Sequence, residues 1–450
     1  MLFFDYAFLF VFLPVFVAVY FLLPRGAQNA WILVGSLVFY AGSSFDYVPI
    51  LLFSIVVDYI AGGRIARSQG SARKVWLTVS LATNLGLLGY FKYVGLFTRT
   101  LRDVGFEGVP LLSAALPVGI SFFTFQSMSY SIDLYRGRVK PARSFVDFAA
   151  FVSMFPQLIA GPIVRFEQLE SELTERTHSV DKVVAGIERF ILGLAKKLLI
   201  ADTAAALAAP IFAAEDPSLV EAWVSMFLYS FQIYFDFSGY TDMALGLGRI
   251  LGFDLPVNFD SPYRAASFSE FWRRWHITLS TWLRDNVYVP LGGNRHGPLR
   301  TYANLLFVML VGGLWHGASW TFLLWGALHG AFLAIERAIG LRDGARTVPR
   351  VLVVHLLTVI AWVPFRLDDM TLVKLWWARM FGGGSLFGAL PTETWLALPA
   401  IAAIVWLFPN TNRFAGRLGP RYAPVLGLLF VVSLIVTYGR GISPFIYFRF

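Results

Sequence analysis

The sequence predicts an all-α protein, a polytopic transmembrane helical bundle of about eleven or twelve spans. Three observations lead there. Of the 450 residues, 57% are apolar and only 14% are charged, whereas soluble domains carry roughly 25% charged residues. A single hydrophobic core stops growing at roughly 250–300 residues, so the surplus apolar surface must face lipid. The apolar residues also gather into thirteen stretches, several of them close to the roughly 20 residues that a spanning helix needs.

In chain order these stretches cover 2–23, 30–42, 47–65, 74–96, 114–135, 145–160, 183–213, 220–250, 301–315, 318–338, 350–365, 394–408 and 423–439. The first has no basic residue ahead of it, meets its first charge at Asp5 and precedes no small-residue cleavage site. It therefore reads as a retained helix and not as a signal peptide. Two stretches are expected to contain backbone that leaves the helix, Leu116–Tyr135 and Ser153–Pro162. The second holds Pro156, Gly161 and Pro162 and reads as a re-entrant turn. Such backbone must be buried in protein or line a wet cavity. The longest polar stretch, 258–300, lies between two apolar blocks and is rich in tryptophan and arginine. It is expected to be an interfacial segment on the cytoplasmic side. No internal repeat interrupts the chain, which reads as one membrane domain over 1–450.

The net charge is +9. Much of it sits in three loops, around Arg64, Arg67, Arg73 and Lys74, around Arg136, Arg138, Lys140 and Arg143, and around Arg413, Arg417 and Arg421. Basic residues collect in cytoplasmic loops, which places these loops inside and the acidic loop of Glu215, Asp216 and Glu221 outside. The charge thus points to membrane lipids and not to nucleic acid. There is no cysteine. A thiolate nucleophile, an enzyme-bound thioester and cysteine-ligated zinc are all excluded.

Two segments carry candidate chemistry. Ser267–Asp285 reads as one short helix, with Phe268, Phe271, Trp272, Trp275, Leu279, Trp282 and Leu283 on one face. Its Arg273, Arg274 and Arg284 would meet lipid headgroups or the phosphates of an anionic donor, which guanidinium groups grip in a fork geometry. His276 lies at the edge of the apolar face. Further on, His316 stands in an apolar run beside Gly312, Gly313 and Gly317. An ionisable residue at membrane depth is a functional candidate by default, and a histidine can take a proton from a hydroxyl near neutral pH. His329 reads as structural. Asp236 and Asp242 interrupt another apolar segment. They either cross-link helices through hydrogen bonds or, with Tyr240, support the pocket. His316 and His329 lack a zinc-motif spacing, no carboxylate pairs with them, and no metal site is expected.

At these residues the chain resembles the membrane-bound O-acyltransferases of the bacterial polysaccharide-acetylating branch. The resemblance rests on Phe155–Pro162 (FPQLIAGP), Asp236–Asp242 (DFSGYTD), Asn258–Tyr263 (NFDSPY), Phe271–Ser280 (FWRRWHITLS), Leu314–Gly317 (LWHG) and Phe445–Phe450 (FIYFRF). It implies a ring of helices around a thin central region, in the bacterial cytoplasmic membrane. It implies His316 as the catalytic histidine and His276 as the second one, with Arg273, Arg274, Trp275, Asp236, Tyr240, Asp242 and Asn258 binding the donor or shaping the pocket. The implied donor is a cytoplasmic thioester, acetyl-CoA. The implied acceptors are an extracytoplasmic acetyltransferase partner and, through it, the hydroxyls of an exported polysaccharide. Two other readings compete: transfer of D-alanine to teichoic acid within the same superfamily, and a polysaccharide conduit without chemistry.

Overall fold

A computed structural model describes residues 1–341, 346–440 and 444–446. Among them every regular element is helical, in line with the all-α part of the expected fold class. The α-helices are, in order, α1 (Leu13–Leu22), α2 (Arg25–Ser44), α3 (Val48–Arg67), α4 (Gly70–Leu88), α5 (Val94–Asp103), α6 (Ile120–Tyr135) and α7 (Phe145–Ser153). They continue with α8 (Phe155–Leu158), α9 (Phe166–Thr174), α10 (Val180–Ala195), α11 (Asp202–Phe212), α12 (Leu219–Ile250), α13 (Phe268–Arg274) and α14 (Ile277–Leu283). The last are α15 (Gly297–His316), α16 (Trp320–Ala338), α17 (Val348–Arg366), α18 (Met370–Met380), α19 (Thr394–Leu407), α20 (Thr411–Phe414) and α21 (Ala423–Arg440). Each of the thirteen apolar stretches contains helix. Helices α5, α9, α18 and α20 were not anticipated, because they are short and carry polar residues. Two segments, Arg25–Arg67 and α17, are long and apolar enough to cross a membrane, while Phe8–Leu22, Thr394–Leu407 and Ala423–Gly439 are apolar but shorter.

Backbone packing groups the described residues into two compact units. The first comprises Met1–Phe190, Tyr240–Pro256 and Gly416–Leu418. The second comprises Ile191–Gly239, Val257–Ala415 and Gly419–Phe450.

In the first unit α3, α4 and α6 pack on one another around a buried carboxylate. Asp58 accepts hydrogen bonds from Ser80 Oγ at 2.5 Å, Asn84 Nδ2 at 2.7 Å and Ser127 Oγ. A buried charge without such partners would be too costly to hold. The segment 153–164 is wholly buried. Helix α7 stops at Met154 (φ −49°, ψ 111°), α8 adds one turn, and Gly161 takes φ +110°. Polar side chains satisfy its backbone: Ser36 Oγ accepts from the Phe155 amide at 3.0 Å, and Gln157 Nε2 donates to the Phe151 carbonyl at 2.7 Å. Leu116–Tyr135 is more regular than expected. Only the residues before Ile120 leave the helix, at the left-handed Gly119, whose missing Cβ would lie 2.6 Å from the Leu158 carbonyl oxygen.

In the second unit α15 and α16 form an antiparallel hairpin with a short connection. Glycines set the spacing. A Cβ on Gly313 would strike the Phe322 carbonyl oxygen, and one on Gly326 the Met309 carbonyl oxygen. Gly326 and Gly330 make the G-x-x-x-G pattern that lets helix backbones approach closely. Helix α17 packs against α16.

Candidate active site

The expected single helix over Ser267–Asp285 is two helices. Ser267 caps α13, its Oγ accepting the Glu270 amide at 3.0 Å. The chain then breaks at Trp275, and His276 takes the left-handed conformation at φ 43°, ψ 54° before α14 begins. Left-handed backbone is uncommon outside glycine, and a distant segment holds it here. The Ile277 amide donates to the Asn258 carbonyl at 3.0 Å, and the Asp260 amide donates to the Arg274 carbonyl at 2.9 Å. The break turns His276 inward, where it is fully buried. Local apolar periodicity favoured a continuous helix, and pairing with 258–260 overrode it.

Asn258 also fixes the protonation of His276. Its side-chain oxygen accepts the Thr278 amide at 3.1 Å and the Thr278 hydroxyl at 2.9 Å. That atom must be the oxygen, since a backbone N–H needs an acceptor. His276 Nδ1, 3.2 Å from it, therefore donates. In the neutral ring the lone pair lies on Nε2.

His316 ends α15 and is buried, at 2% exposure. Trp325 meets it edge-on at 5.2 Å between ring centres, Phe365 at 5.1 Å and Trp315 at 5.0 Å. The His276 ring centre is 6.1 Å away, so residues 40 positions apart meet. Gly317 follows because a Cβ there would run into the Phe322 ring.

A cavity of about 250 Å³ reaches His316. Its walls are Leu305, Val308, Met309, Gly312 and His316 of α15, Trp325, Leu333 and Arg337 of α16, and Ser269, Trp272 and Arg273 of α13. Leu279, Ser280, Leu283, Arg284 and Tyr288 complete it. Trp325 and Arg337 are twelve residues apart on one helix, a rise of about 18 Å, so the cavity is long. Its lining is mainly apolar, and three arginines, Arg273, Arg284 and Arg337, attend it. Arg273 and Arg284 are exposed. Glu336 ties the two sides together: its carboxylate accepts the Ser269 amide at 3.1 Å, the Ser269 hydroxyl at 2.6 Å and the Phe268 amide.

Of the residues singled out in the sequence for chemistry, His316, its neighbour Gly312, Arg273 and Arg284 line this cavity. His276 lies beside His316, and Asn258 lies against His276. Trp275 is buried against Phe259 and Phe271, 5.1 and 5.7 Å between ring centres. Arg274 is engaged in the fold, its Nε donating to Glu270 Oε1 and its Nη1 to the Asp260 carbonyl, both at 2.9 Å. Asp236 is ion-paired with the buried Lys197 at 2.8 Å and accepts the Ile446 amide at 2.8 Å. Lys197 also holds Asp202 at 2.6 Å. In the first unit, Asp242 is paired with Arg189 at 2.9 Å and Tyr240 stacks on Phe3 at 4.7 Å. Both aspartates are thus engaged in ion pairs with basic residues of other helices. Of the 445–450 motif, Phe445 packs on Phe237 at 5.7 Å, and residues 447–450 lie outside the described residues. Arg337 and Glu336 were missed. The four-residue spacing of Trp325, His329, Leu333 and Arg337 along one helix face was the signal that held Arg337.

A buried histidine pair beside a long, mainly apolar cavity suits acyl transfer. The chain belongs to the membrane-bound O-acyltransferase family, which it matches over residues 111–343. It is an O-acyltransferase. Over its full length and that of the relative, it is 40% identical to a probable alginate O-acetylase of Azotobacter vinelandii. It is also 40% identical to a peptidoglycan O-acetyltransferase of Helicobacter pylori, over 81% of this chain and 76% of the relative. A teichoic acid D-alanyltransferase of Streptococcus thermophilus is 30% identical over 49% of this chain and 57% of its own.

Proposed function

We propose that the protein is an O-acetyltransferase that carries acetyl from cytoplasmic acetyl-CoA across the bacterial cytoplasmic membrane toward hydroxyls of an exported polysaccharide. It would do so as a bundle of about eleven or twelve spans, with the basic loops and the 258–300 segment inside. One observation carries the reading: the cavity joins His316 to Arg273, Arg284 and Arg337. A thioester arm with its phosphates at the arginines would bring its acyl carbonyl to His316, and the narrow apolar walls would exclude water and so suppress hydrolysis. Guanidinium groups provide the fork geometry that phosphate oxygens accept.

His316 acts as general base. It takes the proton of the acceptor hydroxyl as oxygen attacks the carbonyl carbon, then returns it to the sulfur as the carbon–sulfur bond breaks. The products are an ester and a free thiol. His276, with its proton held on Nδ1 by Asn258, presents Nε2 as an acceptor. That suits it to orient the incoming hydroxyl. The first acceptor is a serine of a separate extracytoplasmic acetyltransferase, which passes acetyl to the sugar. The likeness to alginate and peptidoglycan acetylases over most of the chain supports acetyl over D-alanine.

The test is growth of an expressing bacterium on labelled acetate or labelled D-alanine, followed by mass analysis of its exported glycans. Acetyl label on the glycan is expected, and its loss in His316→Ala with the protein still inserted in the membrane. D-alanyl label in place of acetyl, or acetylation that survives His316→Ala, would overturn the reading.

A further inference from the structure

The tautomer of His276 leaves a gap in the chemistry. When the hydroxyl attacks, negative charge collects on the carbonyl oxygen, and pre-placed hydrogen-bond donors there are usually the largest single contribution to catalysis. Neutral His276 has spent its N–H on Asn258. His316 needs its lone pair for the incoming proton. The serine hydroxyls on the cavity wall are committed as well: Ser269 donates to Glu336 at 2.6 Å and Ser280 to the Trp275 carbonyl at 3.3 Å.

Two donors on the same wall have no acceptor among the described residues. The indole nitrogens of Trp272 and Trp325 are both buried and lack a hydrogen-bond partner. This is not the habit of tryptophan in this chain. Trp31, Trp223, Trp362, Trp376, Trp377 and Trp406 each donate to a carbonyl or hydroxyl oxygen. A buried donor without a partner calls for an explanation, such as a ligand that the site is built to receive. Trp275 shares the lack of a partner but does not line the cavity. The Trp272 and Trp325 rings are 5.7 Å apart, and Trp325 is 5.2 Å from His316. His329 packs against both, at 5.1 and 4.9 Å, which holds the indoles in place.

We propose that the indole N–H groups of Trp272 and Trp325 bind the carbonyl oxygen of the thioester donor and stabilise the oxyanion that forms on it. This rests on the reading of the cavity as the donor site. Attack by the acceptor oxygen forms the new carbon–oxygen bond and moves the carbonyl electron pair onto oxygen, where the two N–H groups meet it. His316 holds the acceptor's proton. The electron pair then returns, the carbon–sulfur bond breaks, and the sulfur takes the proton from His316. Indole N–H donates without titrating, so this stabilisation does not change with pH.

The test uses the purified full chain with two probes, coenzyme A and S-acetonyl-coenzyme A, a stable thioether ending in a ketone. The wild type is expected to bind both, and the infrared stretch of the ketone, labelled with carbon-13, is expected to fall on binding. Trp272→Phe and Trp325→Phe keep a ring and remove the donor. Each should bind coenzyme A as the wild type does, bind the ketone roughly 5- to 10-fold more weakly, and lower the rate of acetyl transfer about 100-fold. Binding of neither probe by the wild type would overturn the donor-site reading, and this inference with it. Binding of both with an unshifted ketone stretch, or with unchanged ketone affinity in both variants, would overturn this inference alone. Should the variants fail to fold, the infrared measurement on the wild type still decides.

Discussion

Lys197→Met is expected to lower the stability of the protein by about 3–5 kcal/mol, the cost of leaving one partner of a buried pair alone. The side chains of Lys197 and Asp236 are each only 2% exposed and stand 2.8 Å apart. At an effective dielectric of about 20, charges at that distance attract by about 6 kcal/mol. Removing both ions from water offsets most of this. Without the lysine, Asp236 retains the Ile446 amide at 2.8 Å but faces no cation, while Asp202, 15% exposed, can turn to water. The double variant Lys197→Met/Asp236→Asn removes the orphaned charge and should recover about half of the loss. Helicity followed through a denaturant titration in detergent measures stability, and acetyl transfer is measured on the folded fraction. Equal stability of single and double variants would refute the electrostatic reasoning. A Lys197→Met protein as stable as the wild type but inactive would instead put the pair in the chemistry.

Three further outcomes follow from the packing. Glu336→Gln replaces a carboxylate that accepts from Phe268 and Ser269, so it should cost about 1.5–3 kcal/mol and raise the KM for the donor by loosening α13 over the cavity; an unchanged KM would refute this. Gly326→Val drives a side chain into the Met309 carbonyl and should destabilise by about 1–3 kcal/mol, whereas Gly86→Ala, with open space around it in α4, should stabilise by about 0.5–1 kcal/mol; thermal unfolding separates the two. At His276, whose φ is 43°, Asn tolerates the left-handed backbone and Val does not. His276→Asn should therefore fold like the wild type while slowing transfer, and His276→Val should lose about 1–3 kcal/mol, which unfolding and rate measurements on the same samples resolve.

The sequence by itself determined the apolar helices. Long apolar runs specify helix locally, and each of the thirteen stretches contains one. It also picked out His316, because a histidine in an apolar glycine-rich run is costly wherever it lies, and Arg273, through its basic cluster. The two expected departures from regular helix were located, but only Ser153–Pro162 proved extensive. Tertiary structure decided the rest. The break at His276 depends on hydrogen bonds with residues 258 and 260, which override the local preference for one continuous helix. The partners of Asp236 and Asp242 are Lys197 and Arg189, each far away in sequence, so their role could not be read from the apolar segment around them. The cavity wall needed α13, α15 and α16 together, and with them Arg337, Glu336 and the unpartnered indoles of Trp272 and Trp325. Helix formation is a property of neighbours along the chain, whereas a site is a property of neighbours in space.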